Sequence, residues 1–154
     1  MEFRFRGISP APFEPLLSLS DDELATRGMR RVTADAKPGF PCRISLRDAE
    51  PGARLLLLPF EHQPAHSPYR ASGPIFLGET AAEPYDDTRI PAILRERRLS
   101  LRAYDAQDCI SASEVVTGTE LEQTLVRLFA RSDTAYVHAH SAGHGCFLCR
   151  VERA

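Results

Sequence analysis

The sequence has no tryptophan, a single lysine and no apolar run long enough to cross a membrane. Its longest apolar stretch, Leu55–Phe60, is far shorter than the roughly 18 residues that a transmembrane helix needs. The first residues carry charges where a signal peptide would have its apolar segment. We therefore expect no membrane partner and a cytoplasmic protein of bacterial type, with its four cysteines reduced.

Net charge is also nearly absent, because 19 basic residues face 21 acidic ones and leave a formal charge of -2. Such a chain has no long-range field to attract nucleic acid, and we expect no nucleic-acid partner. The nucleophile-elbow, Walker, dinucleotide-binding and His-Glu-x-x-His motifs are missing as well. Several common enzyme classes lose support, but a catalytic site assembled from distant segments remains open.

The periodicity of apolar residues predicts about six to eight strands and two or three short helices. The apolar Leu55–Phe60 run indicates a central strand that is buried on both faces and ends near Pro59. Segments 29–36 and 75–77 are two open candidates, and alternating patterns predict strands over 2–7, 42–47, 98–102, 110–116, 135–141 and 146–153. The last two would form a hairpin around Ala142–Gly145, and 98–102 could pair with 110–116 as a hairpin across Asp105–Asp108.

Two capping-box patterns, Ser20–Glu23 and Thr119–Glu122, mark the starts of two helices. Leu121, Leu125 and Phe129 give the second helix one apolar stripe. Because helices do not alternate regularly with strands, we expect an α+β fold with a mostly antiparallel sheet and helices on one face. The length predicts a single domain over residues 1–154.

Four segments resemble those of a known bacterial family. They are Gly39–Arg43, Glu61–Pro64, Ser67–Phe76 and Gly145–Val151. Together they are similar to the family named domain of unknown function 1203, and the resemblance covers nearly the whole chain. It implies a single domain and no particular activity, cofactor or catalytic residue.

The polar stretch that follows the buried strand is the first candidate site. Strand ends hold the backbone rigidly while side chains remain free to converge. A carboxylate beside an imidazole can perform acid–base chemistry, and arginine with serine can hold a carboxylate or phosphate. The predicted ligand-binding residues are Arg43, Glu61, His62, Tyr69, Arg70 and Ser72. They would line a pocket for a small anionic molecule, in a binding domain or a minor enzyme; the alternative is a loop whose charges pair with one another.

The C-terminal hairpin is the second candidate. His138 and His140 lie two residues apart, so on a strand both project from one face. Matching the apolar faces of the two strands places Cys146 on that same face and Phe147 on the apolar face. His138, His140 and Cys146 would then form an open zinc site, although this spacing matches no recognised zinc pattern. The alternative is a polar strand with one buried cysteine and no cofactor.

A third hypothesis is a structural or interaction role without catalysis. An exposed sheet edge would then pair with a second copy of the chain in a homodimer.

Overall fold

The computed structural model describes residues 1–154 and contains eleven strands in two sheets. The strands are β1 (Phe3–Arg6), β2 (Arg30–Thr33), β3 (Pro41–Cys42), β4 (Arg47–Asp48), β5 (Arg54–Gln63), β6 (Ala71–Gly78), β7 (Asp86–Asp87), β8 (Arg98–Tyr104), β9 (Ile110–Thr117), β10 (Tyr136–Ser141) and β11 (Phe147–Arg153). The α+β class is confirmed, and the predicted sheet is divided into two.

The six-stranded sheet has the order β7-β1-β11-β10-β8-β9, and every neighbouring pair in it is antiparallel. Its two long hairpins, β8–β9 and β10–β11, are those that the alternating sequence predicted. Alternation works here because one face of each strand packs in an apolar core while the other does not.

The five-stranded sheet has the order β2-β5-β6-β3-β4, with a single parallel contact between β3 and β6. β5 does not end near Pro59 but continues to Gln63. Proline has no N–H to donate to a neighbouring strand. Pro59 is tolerated because β2 pairs only with residues 54–57, so no strand lies on that side of β5 at Pro59.

The predicted strand over Cys42–Arg47 is wrong. The chain turns after Cys42, with the Leu46 N–H donating to the Cys42 carbonyl at 3.0 Å. Leu46 itself adopts a left-handed conformation with φ of 52° and is fully buried. Burial of this one side chain in a distant core overrides the local alternation, which only the folded chain reveals.

Three short α-helices accompany the sheets: α1 (Asp21–Thr26), α2 (Ala92–Arg95) and α3 (Leu121–Ala130). The Ser20 capping box of α1 forms as predicted. The second capping box uses Thr117 and Glu120 in place of Thr119 and Glu122, because a 3-10 turn over Gly118–Glu120 precedes α3. No helix of the chain has the length and hydropathy needed to span a bilayer.

Two separate hydrophobic cores hold the fold together. The larger one joins α3 to one face of the six-stranded sheet through side chains such as Leu125, Phe129 and Val137. The smaller one packs the five-stranded sheet against α1 and the 3-10 helix Ala11–Ser18. The face of the six-stranded sheet opposite α3 belongs to neither core, and the end of β5 lies against it.

Candidate functional site

Three imidazoles meet where the two sheets come together. Because side chains alternate along β10, Val137 and Ala139 enter the larger core while His138 and His140 project from the opposite face. His62, near the end of β5, reaches the same place from the other sheet. Its ring centroid lies 5.0 Å from that of His140 and 6.2 Å from that of His138. We call these three residues the histidine cluster.

Irregular strand pairing accompanies each part of this cluster. The β5–β6 register shifts between Phe60 and Gln63, on either side of His62. The β10–β11 register shifts between Ala139 and His140. Such β-bulges redirect side chains and are common beside functional sites, so the backbone is shaped locally to bring the rings together.

Aromatic rings surround the histidine cluster and hold it in place. Phe147 stacks on His62 with centroids 5.3 Å apart and an interplanar angle of 8°. Tyr104 and Tyr136 stack on each other at 5.1 Å, and Tyr104 lies 4.9 Å from His138. The site is therefore a packed aromatic layer in which few side chains can rotate without displacing others.

The imidazole nitrogens have almost no hydrogen-bond partners. His140 Nδ1 lies 2.8 Å from the Gly145 carbonyl oxygen, and because a carbonyl only accepts, Nδ1 carries the proton and Nε2 a free lone pair. That Nε2, the Nδ1 of His138 and both ring nitrogens of His62 are buried without a protein partner. Buried polar atoms are nearly always hydrogen-bonded in folded proteins, so four such atoms in one place mark a candidate binding site.

Burial keeps these histidines neutral at pH 7. It lowers the pKa of His138 to about 2, with a further decrease from the neighbouring His140. It also lowers the pKa of His140 to about 4, against the opposing effect of the hydrogen bond to the Gly145 carbonyl. The pKa of His62 is also lowered, by burial and by the charge of Arg102.

Two arginines add positive charge without a carboxylate to balance it. Arg43, only 3 % exposed, donates from Nε to the Phe147 carbonyl at 2.7 Å and from Nη1 to the Pro41 carbonyl at 2.5 Å. Burial lowers its pKa to about 10, so it remains charged at pH 7. Neither Arg43 nor Arg102 takes part in any of the thirteen ion pairs of the molecule. The charges near the cluster thus favour an anion.

A hydrogen-bonded chain borders the cluster on one side. Gln63 Nε2 donates to the Tyr136 hydroxyl oxygen at 2.8 Å, and that hydroxyl donates to Asp108 Oδ1 at 2.6 Å. Burial and the bond to Asp108 raise the pKa of Tyr136 to about 12. The Asp108 carboxylate accepts the hydrogen bond of the Tyr136 hydroxyl and is not a counter-ion of the imidazoles.

Of the six ligand-binding residues predicted from the sequence, the structure brings Arg43 and His62 to the histidine cluster. Glu61 and Arg70 instead pair with each other at 3.0 Å on the surface, as the alternative interpretation proposed. Tyr69 and Ser72 are exposed, and Ser72 lines a separate concavity with Arg30 and Pro74. The six do not form one pocket, because β5 continues past Pro59 and its side chains alternate between faces.

The predicted zinc ligands are also separated. His138 and His140 share a face as expected, and Val137 and Ala139 share the apolar face with Cys149 and Val151 as expected. The β-bulge then pairs His140 with Phe147, so the placement predicted for Phe147 is wrong. The phenyl ring occupies the histidine face where Cys146 was expected. No group of three or more His, Cys, Asp or Glu side chains is placed to hold a metal ion.

Sequence reasoning missed Arg102, Tyr104 and Phe147. Arg102 and Tyr104 lie on the same face of β8, and they would have been identified if the strand predicted over 98–102 had been extended by two residues. Phe147 depends on the bulge, and the meeting of His62 with β10 depends on how two sheets pack. Neither leaves a signal in the local sequence pattern.

The profile of a family described as "Protein of unknown function (DUF1203)" matches residues 39–153, which include every residue of this site. The chain belongs to that family. No curated protein and no solved structure matches the chain.

Proposed function

We propose that this member of the DUF1203 family binds a small anion at the histidine cluster, between its two sheets. The observation that carries the proposal is the group of four buried ring nitrogens without partners beside two arginines without carboxylates. A bound anion would accept hydrogen bonds from ring N–H groups of His62 and His138 and from the guanidinium N–H groups, and it would balance the arginine charge. His140 Nε2, which has no proton at pH 7, would donate to the anion only after protonation.

The electrostatic surroundings favour an anion over a metal ion. Imidazole is a common metal ligand, and a cation would suit the free lone pair of His140. A divalent cation would, however, be repelled by Arg43 and Arg102, with no carboxylate to offset the repulsion. Metal binding would also require the rings to rotate, since they are not placed to coordinate an ion together.

We expect the occupant to be small. Five concavities of the surface, lined by 7 to 12 residues each, include no member of the histidine cluster. His62 and Arg102 are partly exposed, so we expect an anion to enter beside them. These features fit an anion of a few atoms, such as a free carboxylate or oxyanion, or the charged end of a larger molecule.

The test is titration of the tag-free protein with acetate and with inorganic phosphate, followed by histidine side-chain NMR and calorimetry. We expect saturable shifts of the His62, His138 and His140 ring signals. A nearby anion stabilises imidazolium, so binding should take up protons and become tighter as the pH falls.

Two variants and a control localise the effect. Arg102→Gln removes one positive charge and should weaken binding at least tenfold, and His62→Phe should do the same while preserving the stacking on Phe147. His144→Gln changes an exposed histidine of the hairpin turn and should leave the affinity unchanged. Absence of saturable binding for both anions would refute the proposal. About one equivalent of zinc, lost in the His62→Phe variant, would replace it with a metal site.

A further inference from the structure

A surface concavity lies at the end of β5 that is far from the histidine cluster. β5 begins with Arg54 and Leu55, which line this concavity, and runs on to His62; eight residues of strand correspond to roughly 25 Å. The volume of the concavity is about 420 Å³, within the range of small-molecule sites. It is therefore independent of the anion site proposed above.

The floor and walls of this concavity are largely apolar. Leu55 and Cys42 are buried beneath it, and Ala49, Ala53 and Ala81 form its sides. Small side chains at these positions leave the space open. Apolar atoms here would favour the hydrocarbon part of a ligand over water.

The lining has two arginines and two carboxylates, and the main partner of each carboxylate is an arginine outside the lining. Asp48 accepts two hydrogen bonds from Arg97, at 2.7 and 2.8 Å, and these bonds hold the pKa of its carboxyl below the usual value against the effect of burial. Glu79 Oε1 accepts from Arg31 at 2.8 Å, and only its second oxygen faces Arg54, at 3.7 Å. Arg47 has no ion pair.

The fold holds Arg47 in this position. Leu46, which precedes it, is anchored in the larger core with a left-handed backbone. Non-glycine residues rarely adopt that conformation, and it persists only where the surroundings impose it. The short β4 strand, paired with β3, then fixes Arg47 and Asp48 beside the concavity.

We propose that this concavity binds a small carboxylate with an apolar body of several carbons. The hydrocarbon would lie against Leu55, Cys42 and the alanines, and the carboxylate would pair with Arg47 and Arg54. Arginine suits this role because its planar N–H groups match the two oxygens of a carboxylate.

The experiment titrates the protein with hexanoate and with hexanamide, which has the same length and no charge. Backbone amide NMR shifts report the location and calorimetry the affinity. Hexanoate should shift the amides of Ala49, Ala53 and Gly78 and bind at least tenfold more tightly than hexanamide. Acetate, which lacks the apolar body, should leave these amides unchanged.

Variants separate charge from shape. The double variant Arg47→Gln/Arg54→Gln should weaken hexanoate at least tenfold, and Ala81→Leu should abolish binding by filling the concavity. Arg27→Gln changes an exposed arginine at the end of α1 and should have no effect. Equal affinity for hexanoate and hexanamide, shifts confined to other residues, or an unaffected double variant would each overturn the inference. The histidine-cluster proposal is tested by the His62 and Arg102 variants and survives such a failure.

Discussion

The two faces of β10 receive the same burial with opposite chemistry. Val137 and Ala139 pack against α3 in a core made only of apolar side chains. His138 and His140, on the other face of the same strand, are 2 % and 0 % exposed and have ring nitrogens without partners. The first face is complete within the chain. The second contains groups that folding alone leaves unsatisfied, which is the pattern expected where a protein keeps a site for something else.

The largest effect is expected on the apolar face. Leu125→Ala should lower the free energy of unfolding by about 2–5 kcal/mol, since it removes buried contacts and leaves a cavity. Val126→Ala on the same helix is the matched control, because Val126 is 43 % exposed and its truncation should change stability by no more than about 0.5 kcal/mol. Urea denaturation measures both. Equal small losses would show that the α3 face is not the sealed core described here.

The histidine face should make stability depend on pH. The unfolded chain protonates each histidine near pH 6.5, whereas folded His140 does so only near pH 4. Above pH 6.5 neither state binds the proton and stability is unaffected. As the pH falls from 6.5 toward 4, the unfolded state gains protons first, so stability is lost at up to about 1.4 kcal/mol per pH unit. For His140 alone the loss at pH 5 is about 2 kcal/mol.

Urea denaturation at pH 7 and pH 5 checks this expectation, with His140→Leu as the test variant. That variant should lose less stability between the two pH values than the wild type does, whatever its absolute stability. His144→Gln, which changes an exposed histidine, should keep the wild-type pH dependence. An unchanged pH dependence in His140→Leu would mean that folded His140 binds its proton near the ordinary pKa, and the burial argument would fail.

The same contrast explains which features the sequence could predict. Leu121, Leu125 and Phe129 repeat at helical spacing, and their burial in α3 follows from that local pattern. The shared face of His138 and His140 follows equally from strand alternation. The approach of His62 does not follow from a local pattern, because it depends on how the two sheets pack. His62 and His138 are 76 residues apart in the sequence. The bulges in β5 and β11 interrupt the side-chain alternation at single positions, which the regular apolar pattern does not mark.

The smallest effect is expected for Arg70→Gln. This variant tests the contrast between Arg43, which is buried beside the histidine cluster, and Arg70, which is exposed in the loop after β5. Arg70 and Glu61 form an ion pair whose side chains are 55 % and 39 % exposed, and exposed pairs contribute little because water screens them. We expect no measurable change in the urea midpoint and no change in the affinity for acetate or phosphate. Arg97→Gln is the contrasting variant: it leaves the nearly buried Asp48 carboxylate without its bidentate partner and should destabilise clearly. A loss of anion affinity in Arg70→Gln would place the binding residues in the loop after β5, as the sequence first suggested, and would count against the histidine cluster as the complete site.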